Sequence, residues 1–329
     1  MKILLQILIL LFFLNKGNAQ TIQNISQGIE SDSSFYHITK ISNNEYWVGG
    51  EYGILKRMDS VGNISAINFP NEGLRILKIE KTNNYVFIAT DNAVIYRYDI
   101  AKKEFIKKTF EVLKNKCFYD LIVLSDGNLL ACGGSTGISK SVKEIPNGFI
   151  ASMDQDLNNF NIVWNKRFKF AWSLLETNNH EILASTYNGL TSTIIKSEDR
   201  TAWKKDTKIK GLIYALYLID NQIWYCGSKN YHIHKDGIIG SKESKNNRFC
   251  FNTSGCIWNM DCWNGKIIAS TVSGEVVILN KETSQLSNIL IPNTFALYDI
   301  QKISNSKYFF IGHGHTIKIV DFSTLKTTN

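Results

Sequence analysis

The sequence predicts an all-β protein made of seven small antiparallel sheets of four strands each, and three observations support this prediction. A strand–turn–strand unit recurs seven times, at a period of about 40 to 45 residues that suits one four-stranded sheet per repeat. The hairpin turns are rich in Asn, Asp and Gly, which tolerate the backbone of tight turns. The chain has 329 residues, is 44% apolar and contains only 3 prolines, so it can build a large core.

The clearest copy of the unit lies at 265–286. Its first strand, Lys266–Ser270, ends in Ala269-Ser270, and its second strand, Glu275–Leu279, follows the turn Val272-Ser273-Gly274. β-Branched residues dominate the second strand, as expected for a pleated and half-buried surface. The pairs that correspond to Ala269-Ser270 in the other copies are Val48-Gly49, Ile88-Ala89, Ala131-Cys132, Ala184-Ser185, Tyr225-Cys226 and Ile311-Gly312.

Upstream of each of these pairs lies another strand, whose second residue is aromatic in six of the seven copies. The residues at this second position are Tyr36, Arg75, Tyr119, Trp172, Tyr214, Trp258 and Tyr298. One such sheet cannot bury both of its faces alone, so the sheets are expected to pack radially around an axis. The sequence therefore predicts a seven-bladed β-propeller in which these strands are innermost.

The outermost strand of each blade should be the most polar, because its free edge meets water. Phe105–Phe110, Ala202–Ile209 and Asn246–Phe251 fit this expectation. The seventh copy shows no outer strand, so we expect Thr21–Ile29 to pair with Thr316–Phe322 and close the ring; the alternative is a loose N-terminal tail. The expected blades are 34–72, 73–115, 116–169, 170–211, 212–254, 255–294, and 295–326 with 21–29.

The first nineteen residues are predicted to be a signal peptide, so the propeller domain is expected to cover 20–329. Lys2 is followed by the apolar run Ile3–Leu14 and by the small-residue site Gly17-Asn18-Ala19, after which cleavage is expected. The alternative, a membrane anchor, would need about 20 apolar residues. The mature chain is therefore expected in the periplasm or outside the cell, without a membrane span.

Export permits disulfides among the six cysteines. Cys250 and Cys256 flank a predicted turn, and this is the pair that we favour most for a disulfide. Cys117, Cys132, Cys226 and Cys262 lie inside predicted strands, where cysteine is more often a small buried residue than half of a bridge.

The pattern resembles the WD-repeat type of seven-bladed β-propeller over about residues 34–326. Tyr98-Asp99 and Val320-Asp321 stand where that family has its Trp-Asp dipeptide. The family's Gly-His dipeptides are missing, so its usual hydrogen-bond network is not expected here. Two turns, which contain Asp154 and Asp199, are similar to the Asp-box of other propellers, but both lack its spacing and its glycine.

A search for catalytic and cofactor motifs gives none. The sequence has no GxSxG, P-loop, GxGxxG or HExxH motif, so no cofactor is predicted. His232-Ile233-His234 and His313-Gly314-His315 each bring two imidazoles together without a third ligand, and we interpret them as hydrogen-bonded histidines rather than a metal site. Asp120 and Asp299 share one inner-strand position but in blades three and seven, which argues against a catalytic carboxylate pair.

The net charge of +8 reflects lysine clusters on or near predicted outer strands. These clusters are Lys102-Lys103, Lys107-Lys108, Lys166–Lys169 and Lys204–Lys210. They indicate either a surface for a polyanion or simply a solvated rim, and export argues against nucleic acid as the partner.

The aromatic residues at the start of the inner strands are expected to surround one mouth of the central channel. They could stack on a sugar or a peptide, or they could wedge neighbouring blades together. The longest spacing between copies, from Ala131 to Ala184, adds a loop at Ser135–Asn147 on the same face, where insertions are often tied to binding.

We therefore predict a monomeric, non-catalytic binding propeller that recognises a protein or glycan of the cell envelope or exterior. One alternative is a lyase or glycosidase type of enzyme with its site at the same mouth, which predicts an acid, a base and a cation close together there. The other is a purely structural envelope component. The candidate ligand-binding residues are Tyr36, His37, Arg75, Tyr119, Asp120, Trp172, Tyr214, Trp258, Asn259, Tyr298 and Asp299.

Overall fold

The computed structural model describes residues 22–25, 33–70, 72–135, 147–230, 235–243, 249–250 and 255–324. Within these residues the chain forms seven antiparallel sheets of four strands each, here called blades 1 to 7 in chain order. The innermost strands of neighbouring blades contact one another in cyclic order, and blade 7 contacts blade 1. The predicted seven-bladed β-propeller is therefore confirmed.

The two inner strands of each blade form a hairpin. The innermost strands are β2 (Phe35–Ser42), β6 (Ile76–Lys81), β10 (Lys116–Val123), β14 (Phe170–Glu176), β18 (Leu212–Ile219), β22 (Ile257–Trp263) and β26 (Leu297–Lys302). The second strands are β3 (Glu45–Gly50), β7 (Tyr85–Thr90), β11 (Leu129–Ser135), β15 (Ile182–Tyr187), β19 (Gln222–Asn230), β23 (Lys266–Thr271) and β27 (Lys307–Gly312).

The two outer strands complete each blade. The third strands are β4 (Leu55–Met58), β8 (Val94–Asp99), β12 (Asn147–Met153), β16 (Thr191–Ser197), β20 (Lys235–Ser241), β24 (Glu275–Asn280) and β28 (Ile317–Asp321). The outermost strands are β5 (Ile64–Ala66), β9 (Glu104–Thr109), β13 (Asn161–Arg167), β17 (Lys204–Lys210), β21 (Phe249–Cys250), β25 (Leu286–Leu290) and β1 (Ile22–Asn24). Short 3₁₀ turns lie at Glu51–Gly53, Glu111–Leu113 and Phe322–Thr324.

The N-terminal strand closes the ring, as predicted. β1 pairs antiparallel with β28, with Ile22 opposite Val320, and it thereby supplies the fourth strand of blade 7. The N–H of Ile25 continues the ladder by donating to the carbonyl of Ile317 at 3.1 Å. Of the predicted segment 21–29, residues 21 and 26–29 lie outside the described residues. Pairing covers an edge that would otherwise be open to association with another chain.

The core lies between the blades rather than inside any one of them. Each pair of neighbouring blades shares one cluster of buried apolar side chains, and there are seven such clusters among the described residues. Between blades 2 and 3, for example, Phe87 packs in one cluster with Phe118 and Phe149. Burial on both faces explains why the second strands are almost wholly apolar. No helix among the described residues is long and apolar enough to cross a membrane.

In most blades an acidic or amide side chain lies at the end of the third strand, or one or two residues after it, and accepts hydrogen bonds from the turn there. In Asp59, Asp99, Asp154, Asp199, Asn280 and Asp321, a side-chain oxygen accepts one or two backbone N–H groups of that turn. Such side chains favour tight turns because they supply the acceptor that the chain itself lacks there. The resemblances seen at Asp99, Asp154, Asp199 and Asp321 therefore reflect turn capping.

Candidate functional site: the mouth face and the channel

The mouth face is the end of the ring at which the innermost strands begin. Near its start, every innermost strand carries a one-residue irregularity in its pairing with the second strand. Such a bulge redirects one side chain out of the regular alternation. The residues at the seven bulges are Tyr36, Leu77, Tyr119, Trp172, Tyr214, Trp258 and Tyr298.

The structure corrects the sequence alignment in blade 2. The alignment assigned Arg75 to this position, but β6 begins at Ile76 and the bulge falls on Leu77. Arg75 lies on the rim of the mouth instead, where its Nε donates to Asp91 Oδ2 at 3.0 Å and its Nη2 lies 3.8 Å from Cys117 Sγ. Arg75 therefore belongs to the surroundings of the mouth and not to the set of seven bulge residues.

The rings of the six aromatic bulge residues contact one another around the mouth. The contacts run Tyr119–Trp172, Trp172–Tyr214, Tyr214–Trp258, Trp258–Tyr298 and Tyr298–Tyr36, with centroids 4.3, 5.5, 4.4, 5.4 and 5.3 Å apart. Tyr119 and Trp172 are stacked within 13° of parallel. We call these residues the aromatic girdle; Leu77 interrupts it. Each contact joins two neighbouring blades, so the girdle contributes to the packing of the ring.

One residue further along each innermost strand, polar side chains face the channel in six blades. The residues at this position are His37, Lys78, Asp120, Ser173, Asn259 and Asp299, with Ala215 in blade 5, and we call the seven positions the polar belt. A cavity of about 140 Å³ at the mouth is lined by the girdle, by Leu77 and by most of the belt. The belt includes four of the predicted site residues: His37, Asp120, Asn259 and Asp299.

The belt satisfies backbone N–H groups that the innermost strands leave unpaired on the channel side. In four blades the N–H of the next residue donates to a belt side chain of another blade: Ile38 to Asp299 (2.8 Å), Ile79 to His37 (3.3 Å), Leu174 to Asp120 (2.8 Å) and Leu216 to Ser173 (3.1 Å). In the other three the N–H donates to the belt residue beside it: Leu121 to Asp120 (2.9 Å), Met260 to Asn259 (2.7 Å) and Ile300 to Asp299 (2.8 Å). A buried N–H without an acceptor would be costly, so the belt ties the blades together.

Lys78 is a candidate site residue that the sequence analysis did not select. Its Nζ lies 3.2 Å from Asp120 Oδ1 in a largely buried ion pair. Burial lowers the pKa of Lys78, but the charges of Asp120, Glu80 and Asp299 outweigh it and raise the pKa above the usual value. The ammonium of Lys78 therefore stays charged and attracts the surrounding carboxyl groups of the channel.

Two carboxyl groups near Lys78 have strongly raised pKa values. Burial raises the pKa of Asp299 to about 7, although the N–H groups of Ile38 and Ile300 and the charge of Lys78 oppose this shift. Burial also raises the pKa of Glu80 to about 7 against the charge of Lys78. Burial and the charge of Lys78 lower the pKa of His37 well below its usual value, so its ring is neutral and its Nδ1 accepts from Ile79.

The raised pKa of Asp299 makes one contribution to the stability of the fold dependent on pH. The carboxyl of Asp299 has an ordinary pKa of about 4 in the unfolded chain, so the native state binds more protons between about pH 4 and pH 7. The stability contributed by Asp299 therefore falls as the pH rises through that window and is constant above it. We expect the free energy of unfolding of the wild type to fall relative to that of Asp299→Asn over the same window. Urea unfolding of both proteins at several pH values measures this, and a difference that does not vary with pH would contradict the burial of Asp299.

The histidine pair at 313 and 315 joins the ends of the ring. Ser33 Oγ lies 2.5 Å from His315 Nε2, and Ser34 Oγ lies 3.3 Å from His313 Nδ1. The pair thus links blade 7 to the segment before β2. The other predicted pair, at 232 and 234, lies outside the described residues. Within the described part of the chain, no three His, Cys, Asp or Glu side chains are grouped so as to hold a metal ion.

Two further sequence predictions depend on residues outside the described set. The side chain of Cys250 is not described, so its disulfide with Cys256 stays a prediction. Burial raises the pKa of the Cys256 thiol to about 12, and Cys256 packs with Tyr214 beneath the girdle. Residues 136–146 of the predicted loop at 135–147 also lie outside the described residues, although Tyr119 Oη donates to the carbonyl of Ser135 at 2.7 Å.

The mouth face carries most of the exposed large apolar side chains. Nine such residues occur among the described ones, and six lie in loops or at a strand end on the mouth face: Tyr52, Val112, Phe168, Leu190, Leu290 and Phe295. Phe295 and Leu190 are the most exposed, at 81% and 79%. Val61 and Leu286 lie at the opposite end of the blades. Exposed apolar groups concentrated on one face mark an interaction surface more often than scattered ones do.

The opposite end of the ring holds a larger groove. It has a volume of about 640 Å³ and lies between the hairpins of blades 4 and 5, where Asn178, Asn179, Glu181 and Asn221 line it. Asn178 Nδ2 donates to Asn221 Oδ1 at 2.8 Å across this groove. None of the predicted site residues lines it.

The comparisons with known proteins show the fold. The chain is similar to the solved structures of YCF48 bound to D1 peptide (9% identity, 93% of this chain and 96% of the other, TM-score 0.66), the WD40 propeller domain of Doa1 (10%, 93% and 97%, 0.67) and virginiamycin B lyase from Staphylococcus aureus (11%, 92% and 98%, 0.66). At such identities the likeness establishes the propeller architecture alone. No protein-family model matches the chain, and neither does any curated protein sequence.

Proposed function

We propose that this chain is an exported binding protein that docks a partner protein on its mouth face. The observation that carries the proposal is the concentration of exposed apolar side chains there, above all Leu190 and Phe295. Apolar side chains favour a protein partner over a glycan, which would require more polar contacts. That one propeller of this fold was solved bound to a peptide supports the same reading.

The mechanism would be recognition by a surface that is organised before the partner arrives. The girdle and the belt tie each blade to the next near the axis, so the loops around the mouth stand on a rigid base. A rigid surface loses little conformational entropy on binding, which leaves more of the contact energy for affinity. The mouth cavity of about 140 Å³ has room for one side chain of the partner.

Site-specific photo-crosslinking tests this proposal and also captures the partner. A photoreactive residue placed at Leu190 or Phe295 is expected to give a crosslinked product of defined mass in the source cells, which mass spectrometry identifies. The same residue placed at Val61 or Leu286 is the matched control, because both are exposed apolar positions at the opposite end. Equal crosslinking at all four positions, or none at the mouth, would argue against a docking face.

N-terminal sequencing of the mature protein tests export, with cleavage expected after Ala19.

The channel favours an enzyme of the lyase or glycosidase type as the second candidate. That reading predicts an acid, a base and a cation close together, and Lys78, Asp120, Asp299 and Glu80 meet this requirement. Carboxyl groups with pKa values near 7 are suited to proton transfer. The carboxylates of Asp120 and Asp299 are 7% and 2% exposed and already accept backbone N–H groups, so we rank this function second. Turnover of a candidate substrate that Lys78→Met abolishes would reverse the ranking.

A further inference from the structure

The mouth face has one sector in which exposed apolar and basic side chains lie together. Phe168 is 61% exposed and Leu190 is 79% exposed. Phe170 pairs with Tyr187 at the start of the β14–β15 hairpin, so the segments that carry Phe168 and Leu190 lie side by side on the rim of blade 4. We call this region, with the basic residues described next, the basic sector.

The basic residues of this sector have no acidic partner. Lys166, Arg167 and Lys169 form no ion pair within the part of the chain that the structure describes, and neither does Lys205 of β17 in blade 4. Burial and then the charges of Lys205 and Lys166 lower the pKa of Lys169, which shows that the like charges are close enough to repel. The Arg167 guanidinium lies 5.4 Å from the centre of the Phe168 ring. An incoming carboxylate would relieve this repulsion.

From these contacts we infer that the basic sector docks an acidic protein segment with apolar side chains. Carboxylates would pair with the lysines while Phe168 and Leu190 take the apolar groups. The inference rests on the proposed function and names the partner's chemistry.

The charge distribution favours a narrow protein segment over an anionic membrane. On the other side of the mouth, Glu51 accepts from Tyr36 Oη at 2.6 Å and Asp91 pairs with Arg75. A flat anionic surface laid over the whole face would be repelled by the Glu51 carboxylate, whereas the charge of Asp91 is compensated by Arg75. A segment of a few residues can engage blades 3 and 4 alone.

Selection from a random dodecapeptide library displayed on phage tests the inference. Against the wild type, we expect enrichment of peptides with net negative charge and at least one large apolar residue. We expect those peptides to bind Lys166→Glu/Lys169→Glu with an affinity that is lower by about tenfold or more. Their affinity for the wild type should also fall when salt is added. Lys102→Glu/Lys103→Glu is the matched control, because it reverses two lysines on the β8–β9 turn at the opposite end; it should leave the affinity unchanged.

Three results would overturn the inference: no enriched peptide, enrichment of basic or neutral peptides, or equal binding by the wild type and Lys166→Glu/Lys169→Glu. Binding to phosphatidylserine vesicles but to no peptide would also overturn it, in favour of a lipid surface. Crosslinking at Phe295 reports on the proposed function separately, because Phe295 lies outside the basic sector. Crosslinks there together with neutral selected peptides would leave the proposed function standing while the charge preference fails.

Discussion

Replacing Asp120 by alanine is expected to lower the free energy of unfolding by about 3 to 5 kcal/mol. The substitution leaves Lys78 charged in a largely buried site without its nearest partner, 3.2 Å away in the native protein. It also removes the acceptor for the N–H of Leu174 from the next blade and for the N–H of Leu121. Each of these buried groups would then lack compensation for its lost hydration.

Urea unfolding followed by tryptophan fluorescence measures this effect. The matched control is Glu72→Ala, which removes an even shorter ion pair between exposed side chains, with Lys107 Nζ 2.5 Å from Glu72 Oε2. Exposed pairs contribute about 1 kcal/mol or less, so the control should stay close to the wild type. Similar losses in Asp120→Ala and Glu72→Ala would show that the Lys78–Asp120 pair is not buried as described.

Removal of the N-terminal strand is expected to have the second largest effect. A chain that begins at Ser33 lacks β1, so β28 becomes an open edge and the partly buried side chains of Ile22 and Ile25 no longer pack. Burying an isoleucine contributes about 1.5 to 3 kcal/mol when it is complete. Because both are only partly buried, we expect a total loss of about 2 to 4 kcal/mol and a stronger tendency to associate.

A synthetic peptide of residues 20–32 provides the control for this truncation. Added in excess to the shortened protein, it should restore much of the thermal stability, because the missing strand can pair from a separate chain. A peptide in which Ile22 and Ile25 are replaced by Asp should restore none. Unchanged stability of the shortened protein would mean that β1 does not close the ring.

The architecture could be predicted from the sequence because each repeat is locally complete. The small pairs and the hairpin turns recur in every copy and the aromatic residue in six of seven, and the missing outer strand of the seventh copy required a partner from elsewhere. The alignment failed only in blade 2, where both Leu74–Leu77 and Ile76–Ile79 begin and end with apolar residues. The third residue of each inner strand would have distinguished the two alignments, because it is polar in most copies, as in His37 and Asp120. Lys78 fits that pattern and Ile76 does not.

The polar belt and the docking face could not be predicted in the same way. The belt depends on contacts between blades, so the role of Asp299 at Ile38 becomes visible only when blades 7 and 1 stand side by side. The raised pKa of Asp299 follows from burial, which no local pattern encodes. Phe168 already lies between Lys166 and Lys169 in the sequence, but only the folded blade brings Leu190 beside them.

Both functional proposals depend on a rigid mouth, and the rigidity depends on the polar belt. Residue-resolved hydrogen exchange by NMR at Ile38, Leu174 and Leu216 tests this most directly, because their N–H groups donate to side chains of neighbouring blades. We predict exchange as slow as that of N–H groups inside the sheets, and acceleration at Leu216 in Ser173→Ala. Exchange as fast as at the free edges of the outermost strands would contradict the belt and the preorganised mouth built on it.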